Sequence, residues 1–229
     1  MLRFVLALGL MALPAGAECR LALALAVDVS RSVSITDFRI QTVGLVEALR
    51  DPRIRQALLV PPGEVALAVF QWSGDSHQDL VQPWIVIGSE ADLATVIASV
   101  EAAQRPEVAE ATALGWALVY ARDLFDAAPT CAARVLDVAG DGRNNIGISA
   151  ASAYRRADYA GITVNGLAIG EHESDLEEYY RAEVIRGLGA FVEAVPRQED
   201  YPRAIRRKLL RELTGPLIGG VPAAMGSRG

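Results

Sequence analysis

Asp28, Ser30 and Ser32 stand at alternate positions directly after an unbroken apolar run, Leu21 to Val27, in the stretch LALALAVDVSRSV. A turn accepts any polar residues, whereas oxygen-bearing side chains at every second position aim hard ligands at one point. Two further segments offer the same chemistry. Asp141 follows a second apolar run in ARVLDVAGDG, and Thr112 stands just ahead of a helical pattern in EATALGWAL. Carboxylates and hydroxyls without imidazole or thiolate suit a hard cation, Mg²⁺ with Mn²⁺ or Ca²⁺ as substitutes, rather than copper or zinc. Mg²⁺ commonly keeps waters and leaves a position for an outside oxygen.

Other chemistries find no footing. Phosphate cradling of the Walker type needs a glycine-rich loop ending in Gly-Lys-Ser/Thr, and the only lysine is Lys208, near the C-terminal end. A serine nucleophile needs a base, yet the only histidines are His77 and His172, and no G-x-S-x-G elbow surrounds any serine. Cys19 and Cys131 fall at the starts of strands, away from the oxygen set. These absences point to a binding module rather than an enzyme.

The elements that must position the set alternate between strand and helix patterns. Strands are expected over 21–27, 64–72, 80–87, 133–140, 162–169 and 190–195, and helices after Ser34 and over 89–103, 113–127, 149–159, 175–186 and 201–213. Ser34 with Asp37 forms a capping box for the first helix, whose apolar positions are Phe38, Leu45, Val46 and Leu49. Such alternation predicts an α/β fold: a doubly wound, mostly parallel six-stranded sheet with helices on both faces. The short link WSGDSHQ favours a hairpin, and Pro83 suits an edge, so one edge strand is expected to be antiparallel. In such sheets ligands bind outside the carboxyl ends of the strands, where strand order reverses. Asp28, Ser30, Ser32, Thr112 and Asp141 all fall at that end.

The motif D-x-S-x-S after a buried strand, a threonine before a later helix and Asp-Gly after a middle strand resemble a von Willebrand factor type A domain with its metal-ion-dependent adhesion site. The likeness runs from about Arg20 to Leu213, and VDVSRSV and GDGRNN look like single-domain exported bacterial members. It implies a Rossmann-like fold and a role for each residue. Asp28 takes the place of the first carboxylate, which usually acts through water. Ser30 and Ser32 take the places of direct hydroxyl ligands. Thr112 matches the threonine that joins the metal when ligand binds, and Asp141, followed by Gly142, matches the second carboxylate. Arg31 stands where many members have glycine, and either crowds the site or offers a cation to an acidic partner. The implied function is capture of a protein partner's Asp or Glu carboxylate through the cation. A structural envelope subunit with a stabilising metal is the alternative, ahead of a metal-dependent phosphohydrolase.

The remaining polar clusters have simpler readings. Thr112 is also a candidate helix cap. Arg143, Asn144 and Asn145 share the rim of the site with Arg31 and Gly142, and Asn at such a turn commonly serves backbone geometry. Asp75, His77 and Asp79 read as a solvated hairpin loop. The acids of GEHESDLEE favour a helix N-terminus. Arg203, Arg206, Arg207, Lys208 and Arg211 read as the solvated face of a helix whose apolar face is Ile205, Leu209 and Leu213.

The chain has 229 residues, 52% hydrophobic with net charge −6, which fits one globular domain and excludes a general nucleic-acid binder. Residues 1–17 read as a secretory signal: Arg3, an apolar run too short to span a bilayer, Pro14 and Ala15-Gly16-Ala17. The domain is then expected over 18–214, with a flexible tail over 215–229, in the periplasm or outside the cell and with no membrane span in the mature chain. Export permits a disulfide. Cys19 lies nine residues before Asp28 and Cys131 ten before Asp141. If those aspartates end neighbouring parallel strands, the two cysteines meet at the opposite edge of the sheet, so a Cys19–Cys131 bond is expected.

Overall fold

A computed structural model describes residues 19–60, 62–107 and 110–215. The expected signal over 1–17, and all but the first residue of the expected tail, lie outside the described residues. Strand β1 (Cys19–Asp28) leads to α1 (Ile35–Arg50) and α2 (Pro52–Leu59), then to β2 (Glu64–Trp72) and β3 (Gln78–Ile87). Helices α3 (Glu90–Ala102) and α4 (Leu114–Asp126) precede β4 (Ala133–Gly140), α5 (Ala150–Arg156) and β5 (Ile162–Ile169). The short α6 (Leu176–Tyr179), β6 (Val192–Val195) and α7 (Tyr201–Thr214) complete the described chain.

The six strands lie in the order β3-β2-β1-β4-β5-β6. All neighbours pair in parallel except β2 and β3, so Pro83 does sit in an antiparallel edge strand. From β1 the chain runs outward to β2 and β3 on one side and to β4, β5 and β6 on the other. Strand order therefore reverses between β1 and β4, where Asp28 and Asp141 emerge.

The Leu-Ala alternation of β1 reflects two buried faces of different depth. Leu21, Leu23 and Leu25 pack with α1, α2, α3 and α7, while Ala22, Ala24 and Ala26 face Phe70, Trp72 and α4. Small alanines leave room for those aromatic rings, and each buried leucine on the other face contributes roughly 1.5–3 kcal/mol. Ser34 caps α1 with the expected capping box.

Two expectations need correction, and one element lies beyond those expected. Helix α2 is capped by Asp51 and opened by Pro52, a standard start signal. The helix expected over 175–186 is only α6 followed by a π-turn at Tyr180–Val184, after which Arg186 pairs with Val164. Lys208 is not on a solvated face. It is fully buried on the inner side of α7, against Asp137 of β4 and Glu212.

At the end of the sheet opposite Asp28, Cys19 and Cys131 form the expected disulfide, with Cα atoms 4.5 Å apart. The bond spans 112 residues, and on the chain-entropy account it stabilises by about 4–5 kcal/mol. No described helix is long and apolar enough to cross a membrane.

Candidate metal centre

The sheet delivers Asp28 and Asp141 side by side because their strands pair in register, Val27 opposite Ala139. The chain then turns so that the Ser30 N–H donates to Asp28 Oδ1 at 2.7 Å. This Asx-type turn carries Ser30 and Ser32 back across the strand end. Ser30 Oγ lies 3.2 Å from Ser32 Oγ, and Ser32 Oγ donates to Asp141 Oδ1 at 2.5 Å. Thr112 Oγ1 approaches Ser30 Oγ at 3.2 Å from the loop before α4. All five side chains picked out from the sequence thus form one hydrogen-bonded group.

Thr112 does not cap α4. The capping position belongs to Ala113, with no side-chain bond, which leaves the Thr112 hydroxyl to the cluster. Asn145 fixes it there: its Oδ1 accepts from the Thr112 N–H at 2.8 Å. Asn144 Oδ1 accepts from the Gly115 N–H at 3.0 Å, tying the same turn to the first turn of α4. Both asparagines therefore serve loop geometry.

Asp28 and Ser30 are fully buried, Thr112 and Asp141 nearly so, and Ser32 is half-buried, so the group opens to solvent on the Ser32 side. Burial first, and the neighbouring Asp141 charge second, push the Asp28 carboxyl up to about 8. Burial also raises Asp141, against the Ser32 hydrogen bond and the nearby His172. Asp28 Oδ2 is buried with no hydrogen-bond partner. Two carboxylates and three hydroxyls form a donor set that fits a small hard cation. Among the described residues no group of three or more His, Cys, Asp or Glu side chains is placed to hold a metal. In the Asp75–His77–Asp79 loop, His77 lies 3.3 Å from Asp79.

The rim holds one grouping absent from the sequence reading. Arg143 pairs with Glu173 at 2.8 Å and with Asp175, and lies 5.3 Å from the Tyr179 ring centre. The Arg143 N–H also donates to Glu173 Oε1 at 3.1 Å. Arg31 is exposed, with its backbone N–H bonded to the Glu110 carbonyl at 2.8 Å. A β-carbon on Gly142 would stand 3.7 Å from Thr112 Oγ1 and 4.0 Å from Ser32 Oγ, so this residue borders the opening. The acids of GEHESDLEE had an adequate explanation as a helix start, and for that reason Glu173 and Asp175 went unnoticed as partners of Arg143.

The sequence pattern that defines the proteins of unknown function DUF1194 matches residues 18–217. This chain belongs to the DUF1194 family. No curated protein matches it. Among solved structures, this DUF1194 chain is similar to a von Willebrand factor type A protein from Catenulispora acidiphila, with 17% identity and TM-score 0.61 over 86% of this chain and 43% of that one. Proximal thread matrix protein 1 from the mussel byssus, with a zinc-occupied MIDAS motif, gives 14% identity and TM-score 0.61 over 86% of this chain and 48% of that one. BatB from Bacteroides thetaiotaomicron gives 18% identity and TM-score 0.58, over 84% of this chain and 98% of that one. The DUF1194 chain thus spans about half or less of the first two and nearly all of the third. At these identities the likeness establishes the fold, which is that of a von Willebrand factor type A domain.

Proposed function

We propose that this DUF1194 protein is an exported, metal-dependent binding module that captures a carboxylate of a protein partner, and that it is not an enzyme. The observation that carries the reading is the buried pair Asp28 and Asp141, ringed by Ser30, Ser32 and Thr112. The pair is hydrogen-bonded by the Ser30 N–H at Asp28 and by the Ser32 hydroxyl at Asp141. Two raised carboxyls buried side by side favour either a proton or a cation. An all-oxygen set selects Mg²⁺, with Mn²⁺ or Ca²⁺ as substitutes.

Asp28 and Asp141 would hold the cation's charge, Ser30 and Ser32 would orient it, and Thr112 would close on it from the α4 side. A cation bound there would supply Lewis acidity toward an outside oxygen. A partner's Asp or Glu is the natural source of that oxygen. The disulfide supports export to an oxidising compartment. The zinc in the mussel protein's motif supports a divalent ion in this fold. Against a phosphohydrolase, the chain's single lysine is already engaged with Asp137 and Glu212.

Calorimetric titration with Mg²⁺, Mn²⁺ and Ca²⁺ tests the metal step, and equal uptake by wild type and Asp28→Ala would sink it. Capture of envelope proteins with and without chelator tests the partner step. Capture indifferent to chelator, with metal still bound in its absence, would transfer support to the structural-subunit alternative.

A further inference from the structure

Behind the cation site lie three buried polar atoms without partners: Asp28 Oδ2, the Tyr180 hydroxyl and Trp72 Nε1. Two glycines bring the first two together. At Gly166 of β5, a β-carbon would stand 2.6 Å from Tyr180 Cδ1, so the tyrosine ring occupies the space a side chain would fill. At Gly140 of β4, a β-carbon would stand 2.5 Å from the Tyr180 hydroxyl and 2.9 Å from Asp28 Oδ2. The two oxygens therefore border one glycine-sized gap, separated by no more than about 5.4 Å, a span that one bridging water can cover. The edge of Trp72 closes that gap, with Cζ2 3.4 Å from the same point.

The chemistry of the pair is complementary. With a cation bound, Asp28 would be ionised and only accept, whereas a neutral phenol donates. Tyr180 reaches this place because the chain widens into a π-turn at Tyr180–Val184, an irregularity often found at functional sites.

We propose that Tyr180 is a positioning residue for the cation site: its hydroxyl donates to Asp28 Oδ2, directly or through one water, and fixes that carboxylate in the orientation the cation needs. The proposal rests on the metal-binding reading above. The slot between Gly140 and Gly166 then has a purpose, which is to let a side chain from the turn after α6 brace the first carboxylate. Metal ligands are generally held by such outer partners, and losing one weakens metal binding by roughly 10–100-fold.

Tyr180→Phe keeps the ring in its slot and removes only the oxygen. Calorimetric titration with Mg²⁺ is expected to show affinity reduced by roughly 10–100-fold, while melting of the metal-free protein moves by a few degrees at most. Val184→Ala, in the same turn with only packing to lose, is expected to lower the melting temperature and keep wild-type Mg²⁺ affinity. Equal Mg²⁺ affinity in wild type and Tyr180→Phe overturns the proposal, and so does an equal loss in Val184→Ala. A metal-free readout separates this from failure of the metal reading itself. In infrared difference spectra, Asp28→Asn is expected to shift a tyrosine C–O band that is missing from Tyr180→Phe. No such shift overturns the hydrogen bond. A shift in a wild-type protein that takes up no cation would retire the metal reading and leave only the bond.

Discussion

Strand β4 and the residue just past its end hold two buried aspartates four residues apart, Asp137 and Asp141, and the fold treats them in opposite ways. Asp137, in the middle of the strand, meets a cation from the same chain: Lys208 Nζ lies 2.6 Å from Asp137 Oδ1 and 2.8 Å from Glu212 Oε1. The contact to Asp137 is an ion-pair approach rather than an aligned hydrogen bond, since both Asp137 oxygens lack a well-aligned donor. Asn165 completes the group, donating to Glu212 at 2.8 Å and accepting from the Phe191 N–H at 3.1 Å. Asp141, beyond the strand end, meets Asp28 and three hydroxyls. Both groups are costly to bury, and each raises a carboxyl, to about 7 at Asp137 and about 8 at Asp28. Asp137 rises through burial, opposed by Lys208 and assisted by the Glu212 charge. One group neutralises itself from within. The other holds two carboxyls whose charge would be balanced from outside.

The largest test concerns what both groups share. Cys19→Ser with Cys131→Ser frees the far ends of β1 and β4, and urea unfolding is expected to show a loss of about 4–5 kcal/mol. Mg²⁺ affinity should survive wherever the variant remains folded. A variant as stable as wild type would show that the bond adds nothing to the sheet.

Breaking the internal group comes next. Lys208→Met leaves Asp137 and Glu212 buried without a cation, at an expected cost of about 3–5 kcal/mol at neutral pH. The pH dependence sharpens this. Asp137 is raised in the folded state, so above its ordinary value of 3.8 the folded protein holds a proton that the unfolded chain has released. Its stabilisation is complete below that value and is lost as pH rises through about 7. Lys208→Met should therefore lose least near pH 4 and most above about pH 7, as read from urea midpoints across that range. A pH-independent penalty would show that Lys208 acts by packing alone.

A smaller effect is expected at the open group. Asp28→Asn keeps an acceptor for the Ser30 N–H and removes the charge beside Asp141. The metal-free variant should match or exceed wild-type stability, while Mg²⁺ ceases to raise its melting temperature. In wild type, Mg²⁺ at about a hundred times its dissociation constant should add about 2.7 kcal/mol. Stabilisation of both proteins by Mg²⁺ would place the cation elsewhere. Smallest of all in stability is Thr112→Val, within about 1 kcal/mol of wild type by thermal melting, since it replaces a hydroxyl by a methyl of similar size. Its expected signature is lost partner capture, and wild-type capture by Thr112→Val would remove Thr112 from the site.

The contrast between the groups also separates what was legible in the sequence from what was not. The open group lay in three short motifs, each at a strand end, where alternation and topology alone aim the side chains. The strand spans of β2, β4 and β5 were readable for the same reason: apolar runs bounded by turn residues. The internal group depended on which way α7 rolls. Lys208 and Glu212 lie one turn apart on the stripe of Ala204, Ile205 and Leu209, yet Lys208 also sits among Arg203, Arg206, Arg207 and Arg211, and the basic reading prevailed. Asp137 was the available clue, a lone acid inside a strand buried on both faces. Tyr180 was hidden by a π-turn, since a helix drawn evenly through 175–186 gives no sign of the irregularity that carries its ring to Asp28.

The Cys19–Cys131 bond bears on a property of β1 that its composition creates. The run Leu-Ala-Leu-Ala-Leu-Ala repeats every two residues, so sliding the strand two places along β4 would still put leucines on one face and alanines on the other. Hydrophobic patterning sets register only to within that repeat. A slip of two would carry Asp28 about 6.6 Å from its place beside Asp141 and scatter the oxygen cluster. The covalent tie at the far end marks the origin from which the residues are counted, so that a repetitive strand delivers its aspartate to a single address.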